Sequence, residues 1–134
     1  ILAVLGGVAV GFAVMMACEF TNSRIYPFPP GLDTMNIDQV RAFAASMPLK
    51  ALILVFIGWV TGSVAAGYVS TRLAPRRSTR AAFAAGLVLT AGGMLNAWMI
   101  QNPLWFHLGG LAIFLPLALL GARLAGAPQA IIQE

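Results

Sequence analysis

Two uncharged apolar runs, Ala51 to Val69 and Ala81 to Ile100, stand on either side of a basic stretch, Ser70 to Arg80, that carries Arg72, Arg76, Arg77 and Arg80. Each run is about 20 residues long, enough for a helix rising about 1.5 Å per residue to cross a hydrocarbon core of about 30 Å. The stretch between them therefore reads as the loop of a transmembrane helical hairpin. Short arginine-rich loops stay on the cytoplasmic side, so in a bacterial inner membrane this loop orients the rest of the chain. Both termini are expected in the cytoplasm, and the loop after the first helix and the loop before the last on the periplasmic face.

The composition agrees with that constraint. Only 9% of residues are charged and mean hydropathy is +0.87, whereas soluble domains carry about 25% charged residues. The class expected is an all-α integral membrane protein, one domain over 1–134. Its four transmembrane helices, at about 1–20, 49–69, 80–100 and 103–125, form a compact antiparallel bundle. Net charge is +4 and the pI near 10.3. The basic residues sit in loops without interleaved aromatics, which excludes a nucleic-acid surface. Arg72, Arg76, Arg77 and Arg80 are instead expected to contact anionic lipid headgroups of the bilayer at the cytoplasmic face. Cys18 is the sole cysteine. It excludes an intrachain disulfide and any multi-cysteine metal motif, and reads as a packing residue.

The first loop, 21–48, opens on Tyr26-Pro27-Phe28-Pro29-Pro30-Gly31, where prolines remove donors and no helix survives. Beyond it Asn36 is placed to cap a helix with Gln39 at the third position, and Ile37, Val40, Ala44 and Met47 recur at helical spacing. A short amphipathic helix over about 37–46 is predicted, with Asp33, Asp38 and Arg41 in water. Pro48 suits the start of the next helix. Pro116 deprives the Ala112 carbonyl of its donor, so the last helix is expected to kink. The segment beyond Gly126-Ala127-Pro128 reads as a frayed tail.

Small residues four apart let helices approach closely in lipid. Gly7 and Gly11, Gly58 and Gly62, and Gly86 with Gly93 mark such faces, and the two hairpin helices are expected to form a close pair. The polar residues worth singling out are Glu19, Asn96 and His107. The deduced topology brings them to one depth near the periplasmic face, where a shallow polar pocket would form. Each also has an ordinary reading: a hydrated carboxylate at a helix end, an interhelical amide bond, an interfacial ring. One His and one Glu fall short of the three ligands a metal needs, so neither metal nor cofactor is expected. No nucleophile elbow, phosphate-binding glycine loop or paired carboxylates occur.

Glu19, the segment from Tyr26 to Asp33, Asn102-Pro103-Leu104-Trp105-Phe106 and Phe114-Leu115-Pro116 together resemble a group of small bacterial four-helix inner-membrane proteins without an assigned activity. The resemblance implies the four-helix fold and supplies no function. The expectation for function is a non-enzymatic accessory or structural subunit, packing with other transmembrane subunits or as a homo-oligomer. The alternatives are a small oligomeric channel or transporter, and a lipid-binding or enzymatic protein using the periplasmic pocket.

Overall fold

The computed structural model describes residues 1–100 and 102–127. Five α-helices follow one another: α1 (Leu2–Ile25), α2 (Ile37–Ser46), α3 (Leu49–Leu73), α4 (Thr79–Met99) and α5 (Leu104–Leu124), with a 3-10 turn, Pro75–Arg77, between α3 and α4. All but α2 are long and apolar enough to cross a membrane. The expected tail from Pro128 onward lies outside the described residues.

Helix α1 departs most from expectation, running five residues past Phe20. Its last turns, Thr21-Asn22-Ser23-Arg24, are polar but still helical. Thr21 Oγ1 and Ser23 Oγ donate back to the Ala17 and Phe20 carbonyls at 2.9 and 2.8 Å, Asn22 is fully buried, and Arg24 stacks over the Phe20 ring at 4.8 Å. The irregular part of the first loop shrinks accordingly. Helix α3 likewise continues four residues past Val69, taking buried Ser70 and Thr71 and exposed Arg72 into its last turn.

Helix α2 forms where its local signals place it. Asn36 Oδ1 accepts from the Asp38 and Gln39 amides at 3.1 and 3.3 Å, satisfying two of the donors a helix start leaves free. Gln39 turns its Oε1 to the Asp33 amide at 2.8 Å, so the cap is extended upstream rather than closed on Asn36. Phe28 packs its ring 5.0 Å from that of Phe43 and holds the proline-rich loop to α2. Arg41 does not face water as expected. Its Nε donates to the Met99 carbonyl at 2.7 Å, tying α2 to the C-terminus of α4, where a cation opposes the helix dipole favourably.

The four long helices pack around α3. Helix α1 lies on one side of it and α5 on another; α4 packs on α5 and more thinly on α3. Among the described residues, contact between α1 and α4 is slight, and between α1 and α5 slighter still. Every glycine singled out in the sequence lies at a helix contact, but the partners are not those expected. A Cβ at Gly7 would strike Ser70 and the Ala66 carbonyl; at Gly11 it would meet Ala66 Cβ and the Gly62 carbonyl oxygen, both at 2.8 Å. Gly62 answers with the Gly11 carbonyl at 2.8 Å, and Gly58 with Cys18 Cβ at 2.8 Å. Rising numbers on α1 thus meet falling numbers on α3. Gly86 lies against Leu115 and Ala118, and Gly93 against the Phe114 ring. The small face of α4 is therefore used by α5, and the hairpin pair α3 and α4 is not the closest.

The contact between α3 and α5 rests on glycines beyond the expected set. The Ala118 carbonyl occupies the place of a Gly67 Cβ, the Val64 carbonyl that of Gly121, and the Trp59 indole that of Gly110. Here the numbers rise together: α3 and α5 run parallel. Within the antiparallel bundle expected from the sequence, it is this like-directed pair whose backbones touch. An up-down chain puts its second and fourth long helices in the same direction, and glycine draws them together across the hairpin.

Candidate functional site

A layer of core side chains sits at mid-length of the long helices. Ala66, Leu89 and Phe114 are buried, with Met15 and Trp59 packed against them. Trp59 stands 4.6 Å from the Phe106 ring and 5.4 Å from Phe114, filling the space between α3 and α5 with aromatic surface. Because α1 and α4 do not close on each other, this layer is open on one side. The opening is a cleft of about 140 Å³ with Phe12 and Met15 of α1 on one wall and Leu89, Gly92, Gly93 and Asn96 of α4 on the other. Trp59 and Phe114 also line it. A second hollow, about 430 Å³ and shallow, lies between Pro29 to Leu32 and the Gln39, Phe43 and Ser46 side of α2.

Glu19, Asn96 and His107 fall at a similar level along the helices. Cys18, beside Glu19, meets Gly58; Trp59 meets Gly110, one turn after His107; and Asn96 is one turn beyond Gly93. They do not share a cavity. Asn96 lines the α1–α4 cleft, whose walls include neither of the other two. Glu19 is exposed on α1, and with the helix continuing to Ile25 it stands six residues, about 9 Å, from the helix end rather than closing it. His107 lies seven and eleven residues before Phe114 and Ala118, the α5 residues that meet α4, and so on the same face. Its Nε2 is buried without a hydrogen-bond partner among the described residues, as are Asn102 Oδ1 and both polar atoms of the Asn22 carboxamide.

Sequence reasoning missed Asn22. Its signal was a lone amide in a polar run that looked like loop, and only its burial in the folded chain gives it weight. The cleft was missed as well, because its walls come from four separated segments of ordinary apolar residues.

At the other end of the helices, Arg72, Arg76 and Arg80 are exposed. Arg76 and Arg77 take positive φ, 55° and 51°, in the turn. That geometry brings Arg77 Nη1 to the Ala125 carbonyl at 3.5 Å. Arg77, expected to contact lipid headgroups, thus has a contact within the chain at the C-terminus of α5. Arg72 lies 5.9 Å over the Tyr68 ring. Among the described residues no three His, Cys, Asp or Glu side chains gather as a metal site would require.

The fold defines a class: an all-helical chain with four segments long and apolar enough for a multi-pass membrane protein. No protein-family model, curated protein or solved structure matches the chain.

Proposed function

We propose that the protein is a non-enzymatic, membrane-inserted accessory or structural subunit of the bacterial inner membrane, which packs against other transmembrane helices. The observation that carries this reading is the way α1 is held. Of its 24 residues it buries Gly7, Gly11 and Asn22, the two glycines against α3, and leaves Leu5, Phe12, Met16 and Phe20 exposed beside a seam that α4 does not close. Lipid tails solvate such a face, but packing gains more where a second helix fits it. The interior favours this reading over a channel: Ala66, Ala82, Ala118, Leu89 and Phe114 occupy it, and the polar side chains buried with them among the described residues, Asn22, Ser63, Ser70 and Thr71, carry no charge of the sort that marks ion paths.

The test is native mass spectrometry of the protein released from lipid nanodiscs. A subunit reading expects a complex of fixed stoichiometry, either of this chain or with another membrane protein; a single chain at all concentrations would reject it. The orientation has its own test. With Cys18 replaced by Ala, a cysteine at Gly31 should react with an impermeant maleimide in intact cells and one at Ser78 should be spared. The reverse labelling would place the arginine turn outside. Arg72, Arg76, Arg77 and Arg80 at that turn, all exposed, are then the residues that meet anionic headgroups.

A further inference from the structure

Glu19 is a carboxylate without a partner inside a helix that spans the bilayer. Cys18 beside it meets Gly58, three residues from the middle of α3, and Glu19 itself is six residues, about 9 Å, from the end of α1. Side chains slant toward a helix N-terminus, which on α1 takes the carboxylate further inward. Among the described residues the one ion pair is Asp38 with Arg41, and Glu19 is exposed on the outside of the bundle. Ionisable groups at such depth are costly unless they pair, and hydrocarbon has nothing to pair with them.

A complementary charge stands on the same helix, turned away from it. Arg24 is exposed five residues further on, and at about 100° per residue the two side chains leave the helix about 140° apart. The Arg24 guanidinium folds back over the Phe20 ring at 4.8 Å, one turn deeper, which brings the cation toward the level of Glu19. Between these two flanks runs the outer face of α1. Gly7, Gly11 and Cys18 contact α3, whereas Ala9, Ala13, Met16 and Phe20 lie on the opposite side and are all exposed. Helix α4 approaches on the Phe12 and Met15 side and leaves this face uncovered. In a parallel helix pair the flanking residues of one seam meet those of the other in this way, as e and g positions do. Copies of one chain inserted in one orientation bring their α1 helices together parallel, and a two-fold contact forms each such pair twice. Both charges are then satisfied with no group from outside the chain.

The geometry points to a second copy of this chain as the occupant of the outer face of α1: the two α1 helices run parallel about a two-fold axis along the bilayer normal, and Glu19 of each copy pairs with Arg24 of the other. The assignment rests on the subunit reading above and names the partner and the contact.

The experiment is oxidative cross-linking of the full chain in cell membranes, with Cys18→Ala and one cysteine introduced by Ala13→Cys or, as a control on the exposed side of α3, by Ile53→Cys. A disulfide-linked dimer is expected from Ala13→Cys and not from Ile53→Cys. Glu19→Gln and Arg24→Gln should each reduce it about fivefold. Glu19→Arg and Arg24→Glu, which set like charges against each other, should each abolish it. Co-expressing those two with different tags should restore cross-linking between unlike chains, because the mixed pair again opposes a cation to a carboxylate at both sites; the glutamine variants decide if a charge-reversed chain does not accumulate. A dimer cross-linked from Ile53→Cys instead, or an Ala13→Cys dimer indifferent to Glu19→Gln and Arg24→Gln, overturns the assignment. Native mass spectrometry from nanodiscs separates the two levels of inference. A complex of fixed stoichiometry with another membrane protein, without the Ala13→Cys dimer, rejects the α1 pairing and leaves the subunit reading standing, whereas a single chain at all concentrations rejects both.

Discussion

Along the α3–α5 contact the two backbones touch, whereas along α1 and α4 side chains face each other across a gap. Glycine stands in both seams: Gly67, Gly110 and Gly121 in the first and Gly92 in the second. The difference lies in what stands opposite. Gly67 and Gly121 meet peptide groups, which cannot give way. Gly92 meets the far end of a phenylalanine. A glycine is thus required where backbone opposes backbone, and merely permits a cavity where it opposes the tip of a ring.

The strong side of this comparison is broken most directly by Gly67→Ala. One methyl must displace the Ala118 carbonyl, and overpacking of this kind is expected to cost about 3 kcal/mol, read as a lower thermal midpoint in detergent. A midpoint equal to the parent's would mean that α3 and α5 are not in backbone contact. Gly62→Ala comes next, at about 1 to 2 kcal/mol, because the Met15 side chain at 2.6 Å can move while the Gly11 carbonyl at 2.8 Å cannot. Arg41→Gln should lose about 1 kcal/mol with the Met99 contact, and amide exchange at the end of α4 should quicken while that of α3 stays unchanged. Smallest is Gly92→Ala, expected to leave stability unchanged or raise it by up to about 1 kcal/mol through helix propensity. A clear loss there would place α1 hard against α4 and remove the cleft.

These contrasts mark what was legible in the residues. The apolar runs, the arginine turn and α2 each announce themselves locally: hydropathy over about 20 residues, positive charge, and an Asn36 cap with its periodic apolar face. The end of α1 was not legible, since Thr21 to Arg24 is polar and reads as loop, whereas Thr21 and Ser23 turn their hydroxyls back onto the Ala17 and Phe20 carbonyls of the helix. Nor was the partner of each glycine. Spacing tells that Gly58, Gly62, Gly86 and Gly93 share faces with other small residues, but the choice between α1, α4 and α5 depends on how all the faces are satisfied together. For the same reason Glu19, Asn96 and His107 could be brought to one level by topology and still not converge. Level follows from chain direction, whereas lateral position follows from packing around α3.

The parallel contact of α3 with α5 also sets an order of events during synthesis. Residues 67 and 118 meet across 51 positions of chain, so α3 leaves the ribosome long before its second glycine face can be covered. In the interval α1 is already available to it and α5 does not yet exist. The hairpin of α3 and α4 must therefore wait with Gly67 uncovered, and contacts of long sequence separation are slow to form and exposed to mispairing while they wait. Arrival of α5 docks Gly121 on α3 and covers Gly86 and Gly93 on α4 in one step. A nascent chain halted after α4 would accordingly hold two glycine faces, that of Gly67 on α3 and that of Gly86 and Gly93 on α4, without the helix that covers both.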